Sequence, residues 1–223
     1  MKGNGKLVSI EEAISRIKDG DRIMIGGFGY PGTPNELVDE LIRQGQKDLT
    51  VIATNLARPN KGIGQLYSQG RVKALIGTHF NGNREVCAAF DEGKLPITLL
   101  PMGTLCEMIR AGGFGIPAMY LPASAGTELA EGKETRIFDG KEYVLERAIT
   151  ADVALIKAYR ADKLGNLQYR KSARNYNPLM ATAAKYTIAL AEEVVEVGEI
   201  DPDMVMTPHV YVNAVVQASE ARA

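Results

Sequence analysis

Apolar side chains recur along this chain at helical and extended spacings in turn. Ile10, Ala13, Ile14 and Ile17 stand at i, i+3, i+4 and i+7, the stripe of an amphipathic helix. Ser9 and Glu12 have the spacing of a capping box at its start, and Asp19-Gly20 closes it. A short strand is expected over 22–25. Then come a glycine-rich segment and a second helix, with Thr33 as N-cap, Pro34 at the first helical position and Glu36 completing a second box. Leu37, Val38, Leu41 and Ile42 form the buried face of that helix, and Gly45 ends it. Strands are expected over 49–53, 72–76 and 97–100, and helices over 63–69, 84–91 and 104–111. The last opens on a third box, Thr104 with Glu107.

Strands separated by helices of about ten residues imply βαβ units: an α/β fold with an open, mostly parallel sheet and helices on both faces. The second half changes character. Residues 112–132 are rich in glycine and proline without a clean period, which suggests a functional loop. Asp139-Gly140 stands between two alternating segments, a hairpin signal. Val153, Ala154, Leu155 and Ile156 form a continuous apolar strand, buried on both faces. Further elements are expected as a strand over 167–169, a helix over 177–184 and a strand over 186–191. Residues 210–217 fit strand or helix. The chain shows no repeat and no linker, so one domain over 1–223 is expected.

Composition narrows the class. At 223 residues the chain is long enough for a sizeable core, and 26 bases against 27 acids leave a net charge of −1. That balance argues against nucleic acid or an anionic membrane as partner. No apolar run approaches the length of a membrane span and the N-terminus has no signal-peptide core, so a cytoplasmic location is expected. Cys87 and Cys106 lack metal or disulfide spacing and are expected as small buried hydrophobes within helices. His79 and His209 stand in no ligand spacing, so no metal site is expected.

Candidate chemistry centres on one segment. Residues 27–32, GFGYPG, formally match the G-x-G-x-x-G dinucleotide pattern between a strand and a helix. Asn55 ends the second strand where a ribose-binding enzyme places an acid, and the helix begins after the last glycine rather than around it. Nicotinamide binding is therefore disfavoured. What remains is a glycine-rich turn at a helix N-terminus, which offers amides and a positive dipole end to an anion, most simply a phosphate. No GK[ST] follows it, and the segment around Ser124 lacks the first glycine of a G-x-S-x-G elbow. No acid stands out from a structural role: Glu107 is explained by its capping box. The chain looks like half of an active site.

Five segments together resemble the alpha subunit of family I coenzyme A transferases, of the 3-oxoacid, acetate/acetoacetate and butyrate/acetoacetate type. They are DGDRIMIGGFGYPGTPNELVDEL (19–41), GIGQLYSQGRVKALIGTHFNGN (62–83), LPMGTLCEMIRAGGFGIPA (100–118), ERAITADVALIKAYRADKLGNLQY (146–169) and ARNYNPLMATAA (173–184). The resemblance implies coenzyme A or acyl-CoA as substrate, with no permanently bound cofactor. It assigns CoA binding to Gly26, Gly27, Phe28, Gly29, Tyr30, Pro31 and Gly32. It also implies a beta-subunit partner in an α2β2 assembly. The family's catalytic glutamate lies in an S-E-N-G motif of that subunit, and this chain has no such motif, so no catalytic residue is assigned here. The 3-oxoacid branch usually has glutamine where Met102 stands, and PASAGTELAEG replaces the more usual PTGVGT. Methionine donates no hydrogen bond, so an acid different from or longer than acetoacetate is expected. The alternative is a non-transferring relative, a ligand-binding or thioester-hydrolysing protein on the same fold.

Overall fold

A computed structural model describes residues 5–56 and 59–219. Seven parallel strands form the main sheet: β1 (Arg22–Ile25), β2 (Leu49–Asn55), β3 (Val72–His79), β4 (Ile97–Leu99), β8 (Ala151–Asp162), β10 (Ala184–Val195) and β11 (Ala214–Gln217). Their order is β11-β10-β8-β1-β2-β3-β4, and β9 (Leu167–Gln168) pairs antiparallel with the far end of β8. A separate antiparallel sheet runs β5 (Ala118–Leu121), β7 (Lys141–Arg147), β6 (Thr135–Phe138).

The apolar strand runs are explained by burial on both faces. Along β1, Ile23 and Ile25 enter one core while Met24 enters the other, because successive side chains point to opposite faces. Val153 and Leu155 of β8 alternate in the same way with Ala154 and Ile156. The first core is covered by α1 (Ile10–Ile14), α2 (Asn35–Gln44), α3 (Gly64–Ser68) and α4 (Arg84–Asp91), the second by α5 (Met102–Gly113) and α6 (Asn177–Thr182). Leu37, Val38 and Leu41 of α2 are fully buried, and each such side chain contributes about 2 kcal/mol through removal from water.

Four expectations are corrected. Thr33 does not cap α2: the cap position is Pro34, with no side-chain cap bond, and Glu36 accepts from the Ser219 amide and hydroxyl at 2.9 Å each. Thr104 does not cap α5, which starts at Met102, so Thr104 lies inside the helix with its side chain buried. Segment 112–132 is not all loop. It holds the end of α5, the strand β5 and a 3-10 turn, Glu128–Ala130. Gly112 and Gly113 break nothing, because their lack of a side chain lets α5 press against neighbours. A Cβ there would lie 2.1 Å from the Ile149 carbonyl oxygen and 2.2 Å from Thr182 Oγ1. Finally, Cys87 and Cys106 lie in helices as expected but are half-buried rather than core.

The hairpin is as read: Asp139 and Gly140 both have positive φ, 50° and 76°, and connect β6 to β7 by the turn that suits right-handed strand twist. Among the described residues, no helix is long and apolar enough to cross a membrane.

Candidate active site

From β1 the strands run outward through β2, β3 and β4 on one side, and through β8, β10 and β11 on the other. The direction of winding reverses between β1 and β8. In parallel α/β sheets the loops leaving such adjacent strands diverge to opposite faces and leave a crevice at the strands' carboxyl ends. The glycine segment leaves β1 at that point, with the Gly26 amide still bonded to the Leu155 carbonyl of β8 at 2.9 Å.

The seven candidate residues form one folded loop, and its glycines are dictated by conformation and contact. Gly27, Gly29 and Gly32 have φ of 114°, 67° and 75°, a region costly for side chains other than glycine. A Cβ on Gly26 would stand 1.9 Å from Asn177 Oδ1, and one on Gly32 would stand 2.4 Å from the Ala173 carbonyl oxygen. Within the loop the Phe28 amide donates to the Pro31 carbonyl at 3.1 Å. The Thr33 hydroxyl, expected as a helix cap, donates instead to the Gly29 carbonyl at 3.1 Å. Thr54, at the end of β2, donates to the Gly27 carbonyl at 3.0 Å. Phe28 and Tyr30 stand outward, 47% and 54% exposed, and the Lys61 ammonium sits 4.9 Å from the Tyr30 ring centre.

On the β8 side, a cavity of about 180 Å³ lies behind Pro31, lined by Lys157, Tyr159, Arg170, Ser172 and Glu192 among others. Three of its charged groups are joined: Glu192 meets Lys157 at 3.0 Å and Arg170 at 3.4 Å. Two asparagines beside it escape sequence reasoning, which places them only in a helix start and a family motif. Asn177 Nδ2 donates to the carbonyls of Gly32 and Ala173 at 3.1 and 2.9 Å, and its Oδ1 accepts from the Lys157 amide at 2.9 Å. Asn175 Nδ2 donates to the Pro31 carbonyl at 3.0 Å. Asn177-Pro178 reads locally as an ordinary helix start, so no local signal marks the two asparagines for a distant loop.

The other sequence candidates lie apart in role. Glu107 is engaged by Arg110 at 2.9 Å. Burial and the nearby Glu107 push the Cys106 thiol up, so it stays a thiol rather than a nucleophilic thiolate at neutral pH. His79 is exposed at the end of β3, and the backbone of His209 is bonded to Asn166. Met102, the first residue of α5, is 44% exposed, and its carbonyl accepts from the Tyr176 hydroxyl at 3.1 Å. Burial, with a smaller contribution from Cys106, pushes the Tyr176 hydroxyl up to about 12, so it donates throughout the neutral range.

The family model described as coenzyme A transferase matches residues 7–218. The chain belongs to the coenzyme A transferase family. It is 45% identical over 217 residues to one subunit of the succinyl-CoA:3-ketoacid coenzyme A transferase of Helicobacter pylori, covering 97% of this chain and 94% of that one. It is 43% identical over 217 residues to the alpha chain of the acetate CoA-transferase of Escherichia coli, covering 97% and 99%. The crystal structure of glutaconate coenzyme A-transferase from Acidaminococcus fermentans superposes with a TM-score of 0.84 at 27% identity, covering 96% of this chain and 75% of that chain. As a CoA-transferase it needs a place for a large polyanionic substrate beside a reacting thioester. The glycine loop stands at the switch point of the sheet, with the cavity behind Pro31 next to it.

Proposed function

We propose that this chain, acting as one domain over 1–223, is the alpha subunit of an α2β2 CoA-transferase. It moves CoA between a short acyl-CoA and a carboxylic acid, a 3-oxoacid or short fatty acid. The observation that carries this reading is the position of the glycine loop at the sheet's switch point, held from both sides by Thr54 and Asn177. Residues Gly26, Gly27, Phe28, Gly29, Tyr30, Pro31 and Gly32 bind CoA. Four of the seven are glycines, three of them at positive φ, so the loop's backbone is left bare for close approach by the substrate.

The catalytic glutamate belongs to the beta subunit. Its carboxylate attacks the acyl-CoA carbonyl, forming an acyl-glutamyl anhydride and expelling CoA thiolate. The thiolate attacks the glutamyl carbonyl, releasing the first acid and leaving a glutamyl-CoA thioester. The second acid's carboxylate attacks that thioester to form a new mixed anhydride, from whose acyl carbon the returning thiolate displaces the glutamate. The cycle is ping-pong and conserves the activated bond at each step. This chain's share is to anchor CoA, exclude the water that would hydrolyse the anhydride, and aim loop amides at negative charge.

Native mass spectrometry of the protein purified from its source, before and after addition of acetoacetyl-CoA or butyryl-CoA, tests the assignment. A second chain that gains a covalent CoA adduct on a glutamate is expected. A lone chain that takes up no CoA would overturn the reading. The acid class is read from Met102, exposed at the start of α5, where a glutamine would donate to a substrate oxygen. Met102→Gln is expected to shift the ratio of kcat/KM values toward acetoacetate over longer acids; an unchanged ratio removes Met102 from specificity.

A further inference from the structure

The carbonyls of the glycine loop are gripped by two side-chain amides from a segment more than 140 residues away. Pro31 accepts from Asn175 Nδ2 at 3.0 Å and Gly32 from Asn177 Nδ2 at 3.1 Å. Asn177 is fully buried and its other bonds tie the same side chain to Ala173 and to the Lys157 amide of β8. Asn175 sits at φ 21° and ψ −121°, a conformation that a residue with a side chain rarely adopts. Its Oδ1 accepts from the Tyr176 amide at 2.7 Å and its Nδ2 also reaches the Ser172 carbonyl at 2.9 Å. Such strain persists only where surrounding contacts over-determine it, and it gathers at functional sites.

The direction of these bonds matters. A trans peptide is planar, with its carbonyl and N–H on opposite sides, and no cis peptide occurs among the described residues. Holding the Pro31 carbonyl toward Asn175 therefore turns the Gly32 N–H the opposite way. Holding the Gly32 carbonyl toward Asn177 likewise fixes the peptide that enters α2, whose Thr33 N–H then closes on the Tyr30 carbonyl at 3.3 Å. We infer that Asn175 and Asn177 are positioning residues: a clasp that sets the peptide orientation of residues 31–33 and so presents the Gly32 amide to the CoA substrate. This rests on the proposal that the loop binds CoA. The clasp needs two donors at fixed positions, and the half-buried Asn175 and the buried Asn177 each supply one without adding charge beside an anion site.

Steady-state kinetics and thermal unfolding of the enzyme purified with its second subunit test this through three variants. Asn175→Gly removes the Pro31 donor while suiting the positive φ. A thermal midpoint within a few degrees of wild type, with kcat/KM for acyl-CoA reduced at least tenfold and KM for the acceptor acid little changed, is expected. An unchanged kcat/KM for acyl-CoA overturns the clasp, whatever the midpoint does. Asn177→Asp keeps the acceptor for Lys157 but turns a donor into an oxygen facing two carbonyls. Its loss, ~100-fold for a displacement near 1 Å, is expected to shrink as pH falls, since a protonated carboxyl donates again; a pH-independent defect would mark Asn177 as merely structural. Gly29→Asp separates the two levels. Gly29 is open, with only Pro31 Cδ at 4.0 Å, and aspartate accepts its φ of 67°. If this added charge leaves acyl-CoA kinetics intact, the loop reading itself fails. If it impairs them while Asn175→Gly does not, the clasp alone fails.

Discussion

Two strand-to-helix junctions of the same parallel sheet are built in opposite ways. Between β3 and α4 the helix is started by its own sequence: Asn83 is extended, fully buried, and its Oδ1 accepts from the Val86 amide at 3.3 Å. Between β1 and α2 the helix starts at Pro34 without a side-chain cap. The threonine that would have capped it is bonded back into the glycine loop, and two distant asparagines hold the loop's carbonyls. The first junction stops a strand and begins a helix, and local chemistry suffices. The second leaves the helix entrance free of side-chain caps, which suits a site for substrate anions, and is stabilised by tertiary contacts instead.

The largest effect expected from this contrast comes from Gly32→Ala. The new Cβ meets the Ala173 carbonyl oxygen at 2.4 Å in a left-handed conformation. The loop must shift, and kcat/KM for acyl-CoA should fall ~100-fold while the folded assembly survives; wild-type kinetics would erase the distinction between the junctions. At the other junction, Asn83→Ala removes an N-cap worth about 1 kcal/mol. Thermal unfolding should then begin roughly 2–4 °C lower, with acyl-CoA kinetics unaltered. A kinetic defect as large as that of Gly32→Ala would show that both junctions serve the substrate.

The smallest effect concerns the far end of α2. Glu40 is buried, and hydrogen bonds from Arg43, with further help from Gln44, hold its carboxyl below the usual carboxylate range against a smaller opposing effect of burial. Folded Glu40 therefore releases its proton more readily than unfolded Glu40. The resulting stability is present above the unfolded pKa, near 4.3, and disappears as pH falls through the lower folded value. In acid titrations the thermal midpoint of wild type should drop more steeply below about pH 4 than that of Glu40→Gln. Parallel curves would remove Glu40 as an anchor of the helix that follows the loop.

Strand positions were legible because burial on both faces writes itself as an apolar run. The strand over 22–25 and the helix over 84–91 match to the residue. Misreadings fell where one residue type serves two purposes. Gly112 and Gly113 resemble helix breakers, yet they are contact residues that let α5 lie against the backbone near Ile149 and the side chain of Thr182. Thr33 and Thr104 had the spacing of caps, but a competing carbonyl claimed the first and core burial the second. β5 is four residues long and gains its strand character from pairing with β7, more than twenty residues away, so no local pattern could announce it.

By itself the sequence determined the alternation of strands and helices, the hairpin at Asp139-Gly140 and the glycine-rich turn between the first strand and the helix that follows it. These rest on periodicity, side-chain volume and backbone freedom, which act within a few residues. Only the tertiary structure decided that the loop lies where the winding reverses between β1 and β8, and that Asn175 and Asn177 reach back to grip it. A hydrogen bond between residues 145 apart leaves no periodic trace in the chain. Its partners become neighbours only after the sheet has closed its order of strands.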